Sequence, residues 1–103
     1  MFYTYMLRCE DNSIYSGITT DLERRLEEHC SKTSKTAKYT LTHSALKFEA
    51  AWESGTRSTA SKLEFNLKKL TKAQKESIIK DESNFIKSLG EKLNCEEYKR
   101  INL

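Results

Sequence analysis

The sequence predicts an α+β domain. Its core is a small, mostly antiparallel three-stranded sheet flanked by helices, in the order β-β-α-β-α-α with a short C-terminal helix to follow. Three observations lead there. Two aromatic-rich runs, FYTYMLRC and SIYSGIT, are separated by a short polar turn. Apolar residues recur at helical spacing across LERRLEEHC and again over residues 58–70. The chain of 103 residues is long enough for one small core.

The first run, residues 2–9, alternates as a strand does. Tyr3, Tyr5, Leu7 and Cys9 share one face, and Phe2, Thr4, Met6 and Arg8 the other. EDNS at 10–13 is turn chemistry, because Asp and Asn tolerate left-handed backbone and bond locally. Residues 13–19 then form the second strand of a hairpin, with Gly17 marking a bulge or a close approach to the backbone. Thr20 and Glu23 fit a capping box that starts the first helix. On that helix Leu22, Arg25, Leu26 and His29 lie on one face, directed at the hairpin. An arginine and a histidine among leucines break the local pattern, and such violations cluster at functional sites.

Residues 31–45 are rich in Ser, Thr and Lys and read as a flexible basic loop past Tyr39. Residues 46–52 form the third strand, with Leu46, Phe48, Ala50 and Trp52 alternating inward. The second helix buries Ala60, Leu63, Leu67 and Leu70, with Glu64 within or beside that stripe. Thr71 and Gln74 make a second capping box for a helix to about residue 80, with Ile78 and Ile79 inward. A last helix spans 83–89 through Phe85, Ile86 and Leu89, and Gly90 stops it. Residues 91–103 are mixed and polar, a tail that frays or packs weakly through Tyr98 and Ile101.

Composition narrows the function. Charged residues make up 32% and hydrophobic ones 37%, as in soluble globular proteins. The net charge is only +3, but eleven Lys or Arg face four Glu between Lys32 and Lys80, a local +7. A basic middle suits an anionic partner, nucleic acid above all, or else a solvated helix surface. Cys9, Cys30 and Cys95 are odd in number and form no CxxC, so reduced thiols in a cytoplasmic protein are expected, not zinc or a disulfide framework. No apolar run approaches the roughly 18 residues of a membrane span. Phe2 opens the first strand at once, so no signal peptide is expected.

The candidate chemistry is phosphodiester hydrolysis. Glu64, core-facing in a basic region, suits Mg²⁺ or Mn²⁺, since such a cation needs one or two carboxylates and fills its shell with water and phosphate. An ion pair with Lys68 is its bland alternative. Arg25 suits a phosphate clamp, or a surface pair with Asp21 or Glu28. His29 suits proton transfer or phosphate contact, or simply the helix's last carbonyls. Tyr5 and Tyr15 are poor bases at a pKa of about 10, so catalysis needs neighbouring cations to lower it; core aromatics are the default.

Taken together, Tyr5, then Tyr15-Ser16-Gly17, then Arg25, His29 and a helical Glu64 resemble the GIY-YIG nuclease superfamily. AKYT at 37–40 adds to the likeness, which covers about residues 2–80 and is closest to the small single-domain UPF0213/YhbQ-like branch. The resemblance implies a nuclease-like domain over 1–90 with a C-terminal tail at 91–103, one bound Mg²⁺ (or Mn²⁺) and cleavage of DNA, as in DNA repair endonucleases. By matching position Tyr5 is the leading candidate for general base and Tyr15 assists it. Gly17 admits the backbone, Arg25 holds the scissile phosphate, His29 supports proton transfer and Glu64 holds the metal. Tyr3 and Thr4 stand where the first motif has glycine and isoleucine, Ser16 where the second has isoleucine, and Ile18 where some relatives carry a lysine.

The reading is a Mg²⁺-dependent endonuclease, selective for structure more than sequence. Lys32, Lys35, Lys38, Lys68, Lys69 and Lys72 would contact the nucleic-acid backbone. DNA is the expected partner, with RNA still open and no membrane. A partner protein or a second copy of the chain is left to supply selectivity. The rivals are a nucleic-acid-binding module of the same fold without turnover, and a protein-docking domain.

Overall fold

A computed structural model describes residues 1–31 and 44–103. The elements are β1 (Phe2–Cys9), β2 (Ile14–Thr19), α1 (Leu22–Ser31), β3 (Ala45–Ser54), α2 (Arg57–Lys68), α3 (Lys72–Lys80), α4 (Ser83–Leu89), a 3-10 turn (Cys95–Glu97) and β4 (Lys99–Arg100). The class is α+β as expected, but the antiparallel sheet has four strands, in the order β2-β1-β3-β4. The expected basic loop, AKYT, Lys32, Lys35, Lys38 and Tyr39 lie largely or wholly outside the described residues.

The hairpin turns where its sequence says it should. Asn12 adopts φ 69°, and the Asp11 carboxylate accepts from the Ser13 amide at 3.0 Å. β2 is an edge strand, and its pairing sets Tyr5 opposite Gly17 and Leu7 opposite Tyr15. Alternation then sorts the side chains onto two faces. Met6, Ile14, Ala50 and Trp52 pack with Leu63 and Leu67 of α2, Ile78 of α3, and Phe85 and Leu89 of α4. On the other face Tyr5, Leu7 and Ala51 meet Tyr15, Phe48, and Leu22 and Leu26 of α1.

Three local expectations are corrected. β3 does not alternate through Leu46, Phe48, Ala50 and Trp52, because bulges interrupt its register with β1. Met6 pairs with Ala50 but Leu7 with Phe48, which leaves Glu49 as the extra residue and turns Phe48 to the face of Tyr5. The second bulge leaves Leu46 unpaired and 52% exposed. At the start of α1 the cap is Asp21, not Thr20: its carboxylate accepts from the Arg24 amide at 3.1 Å, three residues on. Ile86, expected inward on α4, is 64% exposed, while Phe85 and Leu89 supply the buried face. The capping box of Thr71 and Gln74 forms with both reciprocal bonds.

Residues 91–103 contribute to the main core through Leu93 and Tyr98. The Tyr98 hydroxyl donates to the Thr59 carbonyl at 2.7 Å, which fastens this segment to α2. β4 pairs with β3, and Arg100 donates to the carbonyls of Ile78 and Ile79.

Candidate active site

The α1 face of the sheet carries the site. β1 projects Tyr5 there, and β2 projects Tyr15 with Gly17 beside it. A Cβ on Gly17 would stand 2.5 Å from the Tyr5 oxygen and 2.7 Å from its Cζ. Only glycine lets the Tyr5 ring lie across β2 at that point. Phe48 closes the other side of the ring, with centroids 4.9 Å apart.

α1 lies over this face with Arg25 and His29 one turn apart, and both reach the same atom. His29 Nε2 is hydrogen-bonded to the Tyr5 oxygen at 2.8 Å, and Arg25 Nε donates to it at 3.3 Å. Glu28 fixes the guanidinium from one side at 3.1 Å. Tyr15 completes the cluster, its ring centroid 5.6 Å from that of His29 and 6.3 Å from that of Tyr5.

Tyr5 and His29 are fully buried, and burial sets their ionisation. It pushes the Tyr5 phenol up to about 12; Arg25 pulls the other way without winning, and the charge of Glu64 adds to the rise. Burial, with Arg25 nearby, holds His29 down at about 4, so its imidazole is neutral near pH 7. The pair is therefore a protonated phenol against a neutral imidazole. The cation expected to lower the phenol is present, but desolvation outweighs it.

Glu64 stands on α2, 24% exposed, and pairs with Lys68 at 3.4 Å. The same ammonium lies 5.5 Å from the Tyr15 ring centroid, which ties the carboxylate to the tyrosine cluster. Tyr5, Tyr15, Arg25, His29 and Glu64 thus form one neighbourhood, joined by Lys68. Lys69 sits over Phe65 instead, 4.3 Å from its centroid. Lys72 is held by the Asn12 carbonyl and by Glu76, at the hairpin turn.

Glu28 and Phe48 belong to the site without having been singled out for it. The spacing of Glu28 to Arg25 made their pairing legible. Phe48 was hidden by the bulge in β3.

The GIY-YIG catalytic domain matches residues 1–90. A UPF0213 protein of Fusobacterium nucleatum is 47% identical over 88 residues, 85% of this chain and 86% of that one. The UPF0213 protein YhbQ of Salmonella typhimurium is 39% identical over 84 residues, 82% of each. A UPF0213 protein from Bacillus halodurans, solved by solution NMR, shares 34% identity over 84% of this chain and 96% of that one, with a TM-score of 0.49. The chain belongs to the GIY-YIG catalytic domain family, in its UPF0213 branch. That family has a nuclease-like fold, which implies a nucleic-acid substrate. No helix among the described residues is long and apolar enough to cross a membrane.

Proposed function

We propose that the chain is a metal-dependent endonuclease that hydrolyses DNA phosphodiester bonds, choosing its substrate by structure rather than sequence. The observation that carries this reading is the Tyr5 hydroxyl, held at 2.8 Å from a neutral His29 and at 3.3 Å from Arg25. A hydroxyl between a proton acceptor and a fixed cation is a proton-transfer node beside a phosphate clamp.

Each residue has a role that its surroundings support. A phenol held at about 12 is a poor base alone, but in the His29 tautomer that leaves Nε2 unprotonated its proton is directed at that nitrogen and it need not ionise first. The Tyr5 oxygen takes a proton from the attacking water as it gives its own to His29. Tyr15 is only partly buried, so solvent reaches it, and it orients that water. Arg25, steadied by Glu28, holds the scissile phosphate through a charge that no working pH removes.

The residues present fit a metal of one kind. Among the described residues no three His, Cys, Asp or Glu side chains converge to cage an ion. A half-buried Glu64 whose counter-ion is a half-exposed lysine fits a Mg²⁺ or Mn²⁺ held by one carboxylate, with water and phosphate completing its shell. When bound, such an ion supplies charge neutralisation at the non-bridging and leaving oxygens.

A second reading is favoured by one observation. The complete burial of Tyr5 and His29 suits a nucleic-acid-binding module that keeps the fold without turnover. The two separate on incubation with linear, branched and single-stranded DNA, with Mg²⁺, Mn²⁺ or EDTA. The nuclease nicks DNA only with metal and loses that activity in a folded Glu64→Ala variant. The module binds with or without metal, unchanged by that substitution, and yields no product.

A further inference from the structure

We propose that a small arginine-lined cavity beside the site holds the phosphate adjacent to the one being cleaved. This rests on the nuclease reading above and adds the path of the strand. The cavity, about 230 Å³, opens at the free edge of the sheet, where the end of β2 meets α1 and the start of α2. Thr19, Thr20, Arg24, Arg25, Glu28 and Arg57 line it.

Its charge is not neutralised from within. Glu28 is the one carboxylate in the lining, and it is paired with Arg25. Among the described residues the guanidinium groups of Arg24 and Arg57 form no ion pair or hydrogen bond. Arg24 and Arg57 line this one concavity from separate helices, where their charge attracts an anion and their planar forks suit phosphate. Arg57 is also the first residue of α2, so the positive end of that helix adds to the field. At this volume the cavity lies below the roughly 300–1,000 Å³ that drug-sized ligands occupy. That size suits a phosphate group with water.

The cavity also gives the strand a course. Arg25 belongs both to its lining and to the Tyr5 node. α2 runs against the direction of β2, so Lys68 lies by Tyr15 at one end while Arg57 lies by Thr19 and Thr20 at the other. Glu64 stands between them on the same helix. A strand laid along the edge of β2 meets Lys68, then Arg25 with Glu64, then Arg24 with Arg57.

The test measures binding of the full chain to single-stranded DNA across a salt series in EDTA, where cleavage does not interfere. The Arg24→Gln/Arg57→Gln double variant should lose one phosphate contact, making the slope of log K against log salt shallower by about 0.7. Lys87→Gln, on α4 and outside the cavity's lining, should keep the wild-type slope. Inorganic phosphate titrated into the wild type should shift the amide resonances of Thr19, Thr20 and Arg57, and those shifts should vanish in the double variant. An unchanged slope in the double variant, an equal loss in Lys87→Gln, or no salt-sensitive binding by the wild type would each overturn the proposal. Loss of slope in a protein that never cleaves would leave the cavity standing and remove the nuclease reading. Metal-dependent cleavage with an unchanged slope would do the reverse.

Discussion

At the scale of single residues, the Tyr5 oxygen explains the most, because Gly17, His29 and Arg25 are all placed by it. Sequence made the set legible: tyrosines on adjacent strands, a glycine in the second, and a basic pair set at i and i+4 on a helix face. It could not give the ionisation, because burial depends on what the whole fold puts around a group. His29 carries a consequence for stability. Its pKa is about 4 when folded and near 6.5 when unfolded. Above about 6.5 both states are neutral and it contributes no pH dependence. As pH falls from there toward 4 the unfolded chain takes up a proton that the folded one refuses, so stability drops. Between pH 7.5 and 4.5 this group should cost about 2 to 3 kcal/mol. Urea midpoints at the two pH values should therefore fall further in the wild type than in His29→Gln. Equal falls would mean that His29 is not held neutral.

At the scale of elements, α1 is the piece on which the site depends, since it carries Arg25, Glu28 and His29 within one stretch of ten residues. Its start is fixed by Asp21, so Asp21→Ala should cost about 1 kcal/mol. Thr20→Ala should cost much less, and comparison of their thermal midpoints decides which residue is the cap. The sequence pointed to the pair Thr20 and Glu23 because it fits the capping-box pattern. The aspartate next to it fits the cap position equally well, and the structure uses that one. β3 was legible as a strand but not in its facing. A bulge inverts the alternation beyond it, and nothing in LKFEAAW marks the extra residue. That inversion brings Phe48 against Tyr5 instead of into the larger core.

At the scale of the molecule, the sheet presents two faces with separate duties. One packs against α2, α3 and α4, and the other holds Tyr5 under α1. The fourth strand could not be read from two residues, Lys99 and Arg100, whose strand character comes only from pairing with β3. Arg24 and Arg57, 33 positions apart in the sequence, meet at one cavity only through the fold. The C-terminal segment is fastened to α2, the helix of Glu64. Tyr98→Phe removes the bond to the Thr59 carbonyl and should cost about 1 kcal/mol, read as a lower urea midpoint. No change would mean that the segment does not brace α2 through that bond. The central claim is that the Tyr5 hydroxyl takes part in the chemistry, and single-turnover cleavage of DNA in Mg²⁺ by folded Tyr5→Phe tests it most directly. The rate should fall by about 10²–10⁴ with DNA affinity little changed. Cleavage at the wild-type rate would contradict the claim.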